Sequence, residues 1–367
     1  AVDQSGNTYS VGAVYHVPWV RGVSVFGNKS TNFRDQSGAQ RFEDEALRPQ
    51  REIGPLEGEG RDYGLKFGFL DGRMNATLTR FEVAQTNAAT GFDGNVSNYI
   101  GAIWTTLQNN GPNTLQTDAQ NPQGHHVGGS DTRAQESTGW ELELTANPSR
   151  GWRVSFNVSK SENVVSGLGE NVAAYVEKHR ATWQARSSLP YNTGPGVGPG
   201  FLTNSGGSNT IGALITGLDG IGACTKSGEN QTEVNIRPWN ANGFTAYRFS
   251  EGPFRNLTVG GGVNYRGKAI VGVKAPSSPA DPDQRVQIFK GNAYYLVNAM
   301  VGYDFKPRQK FTLRTQLNIE NLLDNDELQV LASNYGISQP PLNTGTINKW
   351  YYHLEPRRYS LSITLGF

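Results

Sequence analysis

An all-β, antiparallel transmembrane β-barrel is the fold class that this sequence predicts. Three observations predict it. Apolar residues recur at every second position in about eleven segments. The connections between those segments alternate short and long. No stretch approaches the ~18 consecutive apolar residues that a membrane helix needs, whereas a barrel strand commits only every second residue to lipid. Composition agrees: 36% of residues are apolar, aromatics reach 10%, and there are 45 glycines. Such a balance also fits a secreted β-sandwich, so the pattern along the chain has to decide.

The segments, in order, are 11–17, 21–32, 62–70, 73–85, 140–146, 152–159, 239–249, 257–266, 295–305, 311–319 and 359–367. In 62–70, Tyr63, Leu65, Phe67 and Phe69 face one way, and Gly64, Lys66 and Gly68 the other. In 73–85 the phase set by Met74, Ala76 and Leu78 slips to Phe81 and Val83, which predicts a bulge or the exit from the membrane. Trp140, Leu142 and Leu144 alternate with Glu141, Glu143 and Thr145; Trp152, Val154, Phe156 and Val158 alternate with Arg153, Ser155 and Asn157. The last segment sets Tyr359, Leu361, Ile363, Leu365 and Phe367 against Ser360, Ser362, Thr364 and Gly366. A strand of this kind at an open sheet edge invites aggregation, whereas a barrel pairs it. Outer-membrane barrels also end on such an aromatic, which the barrel-assembly machinery reads.

Short connections fall near 18–20, 71–72, 147–151, 250–255 and 306–309, each with Gly, Pro, Asn or Asp. Long ones run through 33–61, 86–136, 166–237, 268–290 and 323–355. Long structureless loops are uncommon in compact soluble domains. Their placement at one end is the habit of outer-membrane barrels, with short turns in the periplasm and long loops outside. Within 170–189, Val172, Tyr175, Val176, His179 and Trp183 recur at helical spacing and predict one short loop helix. An odd strand count sends the first and last strands the same way, so closing the sheet on itself would pair them in parallel. Single-chain bacterial barrels are even and antiparallel. The expectation is therefore the C-terminal part of a larger barrel, with further strands upstream of Ala1.

The residues then point to a family. Asn318-Ile319-Glu320-Asn321-Leu322-Leu323-Asp324-Asn325, a long loop, and Glu355-Pro356-Arg357-Arg358-Tyr359 with its terminal strand resemble the C-terminal end of TonB-dependent outer-membrane receptors. Gly260 to Gly267 resembles that family's glycine-rich strand ending in Tyr-Arg-Gly. Leu47-Arg48-Pro49-Gln50, Tyr63-Gly64-Leu65-Lys66 and Asp71 to Thr77 resemble its mid-barrel pattern, with Gln50 and Tyr63 where Glu is usual. The motif residues are Asn318, Asn321, Leu322, Asp324, Pro356 and Arg357.

The resemblance implies a 22-stranded barrel, of which residues 1–367 are the second half. It implies that the plug domain and the first barrel half lie outside this chain. It implies TonB-energised uptake of a scarce nutrient: a ferric siderophore most often in the family, a glycan or cobalamin otherwise. Its partners are outer-membrane lipid, TonB through the N-terminal region, the barrel-assembly machinery and a small-molecule nutrient. Candidate solute contacts are Tyr99, Trp104, His125, His126 and Trp183. Glu141, Glu143, Arg153, Arg266, Arg314 and Glu320 fall on the non-lipid phase, as a hydrated wall with internal ion pairs or as contacts to plug or solute.

Other chemistries are weaker. A charge of +1 offers no basic field for nucleic acid. Gly260–Gly267 precedes no helix that would meet a phosphate. His125-His126 lack a carboxylate or Cys framework, and Asp281-Pro282-Asp283 lacks the loop of an EF-hand, so no metal or cofactor is assigned. Cys224 has no partner cysteine in the chain. No grouping suggests nucleophilic catalysis, so the chain is not read as an enzyme. A passive porin or autotransporter-type barrel is the second reading. A soluble secreted glycan-binding β-protein is the third.

Overall fold

The computed structural model describes residues 4–36, 38–39, 43–44, 52–92, 94–110, 127–191, 210–227, 229–233, 236–274, 287–308, 311–333 and 349–366. Eleven strands form one antiparallel path in chain order. They are β1 (Ser10–His16), β2 (Val23–Arg34), β3 (Leu56–Phe69), β4 (Met74–Thr90), β5 (Asp131–Ala146), β6 (Trp152–Ser166), β7 (Trp239–Arg248), β8 (Leu257–Arg266), β9 (Tyr294–Arg308), β10 (Phe311–Glu320) and β11 (Arg358–Gly366). A two-residue strand, Gln231–Thr232, also pairs with β6. The path runs from β1 to β11 without pairing those two to each other.

Directly opposed residues share a face of a sheet, so the register sorts the side chains. One row runs Tyr15, Val25, Leu65, Leu78, Leu142, Val158, Ala241, Tyr265 and Tyr295 across nine strands. Val301, Leu317 and Leu361 continue the same face across β9, β10 and β11. That face is apolar and exposed: Tyr15, Leu361 and Ile363 are 55%, 67% and 62% accessible. Water does not tolerate so continuous an apolar surface, but a bilayer requires it.

Aromatic residues mark both borders of this band. Tyr63, Arg80, Trp140, Lys160 and Trp239 share one level, with Arg80 5.5 Å from the Trp140 ring and Lys160 5.7 Å from the Trp239 ring. Toward the loops from there the same face turns ionic. Lys29 and Arg61 pair with Glu59 at 3.0 and 2.7 Å, and Arg80 with Glu82 at 3.7 Å. At the turn end stand Phe69, Trp152, Tyr247 and Phe305. Trp152 and Lys160 lie eight residues apart on β6, or about 27 Å of strand and about 20 Å along the axis at the usual ~40° tilt. That approaches the ~25 Å apolar band of an outer-membrane barrel.

The structure favours membrane exit over a bulge for the phase slip, and it corrects the helix count. The phase slip after Leu78 is no bulge: β4 and β5 pair without a break from Met74 to Gln85, and the irregularity comes between Gln85 and Ala88. Phe81 and Val83 sit on the opposite face because the outer face has already left the membrane at Arg80. Among the described residues the long loops also hold three helices rather than one: α1 (Gly94–Asn110), α2 (Glu170–Gln184) and α3 (Ile211–Ser227). Two small hairpins join them, Ile270–Lys274 with Gln287–Lys290 and Leu328–Ser333 with Lys349–His353.

Short turns close the opposite end. Gly22 (φ 80°) and Gly151 (φ 85°) hold left-handed backbones, and a Cβ there would lie 2.1 Å from the Gly68 carbonyl and 2.3 Å from the Arg248 carbonyl. The described turns 17–22, 70–73, 147–151 and 249–256 carry Arg21, Arg73, Arg150 and Arg255 against Asp71 and Glu251. Substituting Leu144→Arg, in mid-band on the apolar face, is expected to cost about 2–4 kcal/mol, whereas Glu143→Gln on the other face is close to neutral. Urea unfolding of the full-length receptor in liposomes measures the contrast, and equal losses would contradict the facial assignment.

Candidate functional site

The polar face is concave. A cavity of about 680 Å³ is lined together by Glu143, Thr145, Asn157, Asn242, Asn264 and Asn298 with Asn318 and Glu320, from six consecutive strands. Residues on β8 and β7 make room for it: a Cβ on Gly262 would lie 2.9 Å from the Gly243 carbonyl. Asn242 donates to Asn157 Oδ1 at 2.9 Å, and Gln316 to Asn318 Oδ1 at 2.7 Å. The register puts all six sequence-predicted charges, Glu141, Glu143, Arg153, Arg266, Arg314 and Glu320, on this phase. Two of them are in ion pairs: Glu320 with Arg358 at 2.5 Å, and Arg314 with Asp304 at 2.8 Å.

At the loop end the three helices pack around one apolar core. Ile100, Ile103, Leu107, Trp183, Ile211 and Leu214 are fully buried there. Of the predicted solute contacts, Tyr99, Trp104 and Trp183 belong to this core, at 7%, 4% and 0% accessibility. Trp104 Nε1 donates to Tyr175 Oη at 3.0 Å, and the Trp104 and Trp183 rings meet edge-on at 5.8 Å. Gly217 of α3 lets the Tyr99 ring approach; a Cβ would stand 2.7 Å from it. The structure thus gathers these aromatics but covers them. His125 and His126 lie outside the described residues, as does Phe367.

A cleft of about 630 Å³ separates α2 and α3 from the loop-side ends of β4, β5 and β6. Val96, Val165, Leu168, Val172, Val176 and Leu218 form its apolar walls. Ion pairs hold its rim: Arg180 with Asp219 at 2.7 Å, and Arg133 with Glu233 at 3.2 Å. The Asp219 and Glu177 carboxylates hold the Arg180 guanidinium well above its ordinary pKa, so it stays charged. Asp131 is 1% accessible and caps α2 from a distance, accepting from the Asn171 amide at 3.2 Å and the Val172 amide at 3.3 Å. The cap replaces one that Gly169, the residue before the helix, lacks. Nothing local in the sequence marks Asp131, because its partners lie forty residues on. The rim pairs are equally non-local, with partners a hundred residues apart for Arg133 and Glu233.

The terminal motif forms a clasp. Asn321, 3% accessible at φ 49°, donates its side-chain amide to the carbonyls of Asn325 and Glu355, both at 2.9 Å. Its Oδ1 accepts from the Asn325 amide at 2.9 Å, and its own amide donates to Asn298 Oδ1 at 3.0 Å. Leu322 donates to the Val297 carbonyl at 2.7 Å. Asp324 accepts from the Arg357 amide at 2.9 Å and pairs with its guanidinium at 3.1 Å. The two halves of the motif therefore lock the base of the loop between β10 and β11. Asn318 reaches Ser360 at 3.4 Å, and Pro356 leads Arg357 into β11. Tyr359, Leu361, Ile363 and Leu365 line the apolar face of β11 opposite Ile319, Leu317, Thr315 and Leu313.

A membrane-spanning wall with a polar concave face and a structured loop end defines an outer-membrane barrel. A family model described as "TonB dependent receptor-like, beta-barrel" matches residues 1–322, and the chain belongs to that family. It is 23% identical over 309 residues to the ferric-pyoverdine BN7/BN8 receptor of Pseudomonas putida, covering 84% of this chain and 24% of that protein. The ferripyoverdine receptor of the outer membrane of Pseudomonas aeruginosa, solved with ferripyoverdine, superposes with a TM-score of 0.53 at 18% identity, over 100% of this chain and 33% of the other. The FpvAI–pyocin S2 complex gives 0.56 at 17% identity, over 100% and 34%. The chain thus spans about a quarter of the curated relative and a third of the solved ones.

Asn321→Ala is expected to destabilise the clasp by about 2–4 kcal/mol, since it strands several partners at once. Faster proteolysis between residues 325 and 355 reports it. The Arg357 amide, and then its guanidinium, hold the Asp324 carboxyl below the usual range. Its contribution is complete above about pH 4, the unfolded carboxylate value, and is lost as pH falls through the lower folded one. Pepsin cleavage of this loop should rise on acidification more in the native protein than in Asp324→Asn, which has already lost the charge; parallel profiles would exclude the role.

Proposed function

We propose that this chain is the C-terminal barrel half of a receptor that imports a ferric siderophore with energy from TonB. Similarity to a ferric-pyoverdine receptor over most of the chain is the observation that carries the reading. Eleven strands are half of the 22 that the family resemblance implies, which supports a complete barrel with a plug encoded in the rest of the protein. The bilayer would meet the apolar face, TonB would act through the N-terminal region, and the assembly machinery would read β11.

The solute would rest at the loop end, in the cleft between α2, α3 and the strand ends. Its volume lies within the ~300–1,000 Å³ of small-molecule sites. Tyr99, Trp104 and Trp183 would then support the surface from behind rather than touch the solute. Ala173 lines the cleft from an exposed position on α2, so Ala173→Trp fills it without entering the core.

Uptake of radioactive iron as the ferric siderophore, by cells carrying the full-length receptor as their sole route, tests both statements. Uptake should vanish with a protonophore or without TonB, and Ala173→Trp should weaken siderophore binding about tenfold or more. Uptake of a glycan or cobalamin instead, or uptake indifferent to TonB, would refute the assignment. Unchanged affinity in Ala173→Trp would remove the cleft but not the receptor.

A further inference from the structure

We propose, resting on the siderophore-receptor reading, that the cleft between α2, α3 and the strand ends is a slot for a linear, uncharged acyl chain. The solute is then an acylated siderophore, with its chain in the slot and its iron chelate at the rim. The charges around the cleft carry the inference. Seven charged residues are among its described lining, and each is already engaged. Glu177 at 2.8 Å and Asp219 at 2.7 Å hold Arg180, Glu233 holds Arg133 at 3.2 Å, and Glu229 holds Lys226 at 4.0 Å. Glu233 also accepts from Gln135 at 2.6 Å. Asp131 is committed to the amides that open α2. A charged group entering the cleft has to displace one of these partners and leave it unpaired in a partly desolvated place. An uncharged group displaces none.

What remains for a ligand is hydrocarbon. Phe92 is the one aromatic ring among the described lining residues, and the other apolar ones are Val, Leu, Ile and Ala. Tyr99, Trp104 and Trp183 are turned into the helix core instead. A flat chromophore or sugar ring finds no pair of aromatic faces to lie between, whereas a flexible chain packs on aliphatic walls. The shape agrees. Gly169, Val172, Ala173, Val176, Glu177 and Arg180 put one face of α2 on the cleft over eleven residues, or about 16 Å. A compact cavity of about 630 Å³ would be only about 9 Å on a side, so this one is drawn out along the helix. Bilayer lipid is not the source of the chain. Arg133 and Val165 occupy the phase opposite to Leu142 and Val158 on their strands, so the cleft lies on the side of the sheet away from lipid. Ala173 and Gly222 line it and are exposed, which gives a solute access.

Photolabelling of the full-length receptor in nanodiscs tests the proposal, with empty nanodiscs correcting for partition into lipid. The probe is N-decanoylethanolamine carrying a diazirine at the end of its chain. It should label residues 165–180 and 211–227. Unlabelled N-acylethanolamines should compete about fourfold more tightly for each methylene added between six and ten carbons, as burial of a CH₂ predicts. Sebacate, ten carbons with a carboxylate at each end, should compete at least a hundredfold more weakly than N-decanoylethanolamine. Gly222→Leu places a side chain where a Cβ meets nothing within 4 Å, and Ala173→Glu places a charge from an exposed position. Each should lower labelling at least fivefold while the fold stays intact. Labelling confined to the lipid-facing strands overturns the proposal, as does competition indifferent to chain length or sebacate competing equally well. Where iron uptake is intact under any of those results, the receptor reading stands without the slot. Slot labelling in a receptor that takes up no ferric siderophore refutes that reading and keeps the acyl site.

Discussion

A backbone amide in hydrocarbon has no water to turn to, and the whole wall is shaped by that constraint. Each strand must be paired along its whole length, and pairing fixes which side chain opposes which. The alternation of one strand thereby becomes a row across all of them. Tyr15 on β1 and Leu361 on β11 are far apart in sequence yet belong to one apolar face, because each intervening register preserves phase. The polar face is the remainder, and being free of lipid it can hold Asn157, Asn242 and Asn264 in sequence along one cavity. The ion pairs of Glu59 begin where that constraint ends.

Legibility in the sequence respects the same border. Inside the membrane, period two is enforced, and all eleven strands are visible. Outside it the strands continue as ordinary sheet with polar residues on both faces, so 56–61, 86–90, 131–139 and 160–166 give no signal. The helices differ. α1 repeats Val96, Tyr99, Ile100, Ile103 and Trp104, and α3 repeats Ile211, Leu214, Ile215 and Leu218, both at helical spacing. Gly217 and its neighbouring glycines disguise α3 as a loop, though one of them is needed for contact with Tyr99. Aromatics chosen as solute contacts prove to be the core that those helices share, since exposure cannot be read from residue type alone.

Motifs are legible as letters and not as geometry. Asn321 and Asp324 are recognisable beside Pro356 and Arg357, but that they close on each other through Asn298, Asn325 and Glu355 appears only in three dimensions. Asp131 is the opposite case: it carries no motif, and its importance lies in reaching a helix that begins long after it.

The clasp at Asn321 separates two jobs that the chain between β10 and β11 would otherwise share. Chain ends fixed to each other by Asn321 and Asp324 deliver β11 to its register whatever lies between them. Closing a longer loop adds only about 0.6 kcal/mol for each doubling of its length. Length added between residues 326 and 354 therefore need not move the wall, and the surface offered to the outside can diversify at the pace of what it meets there.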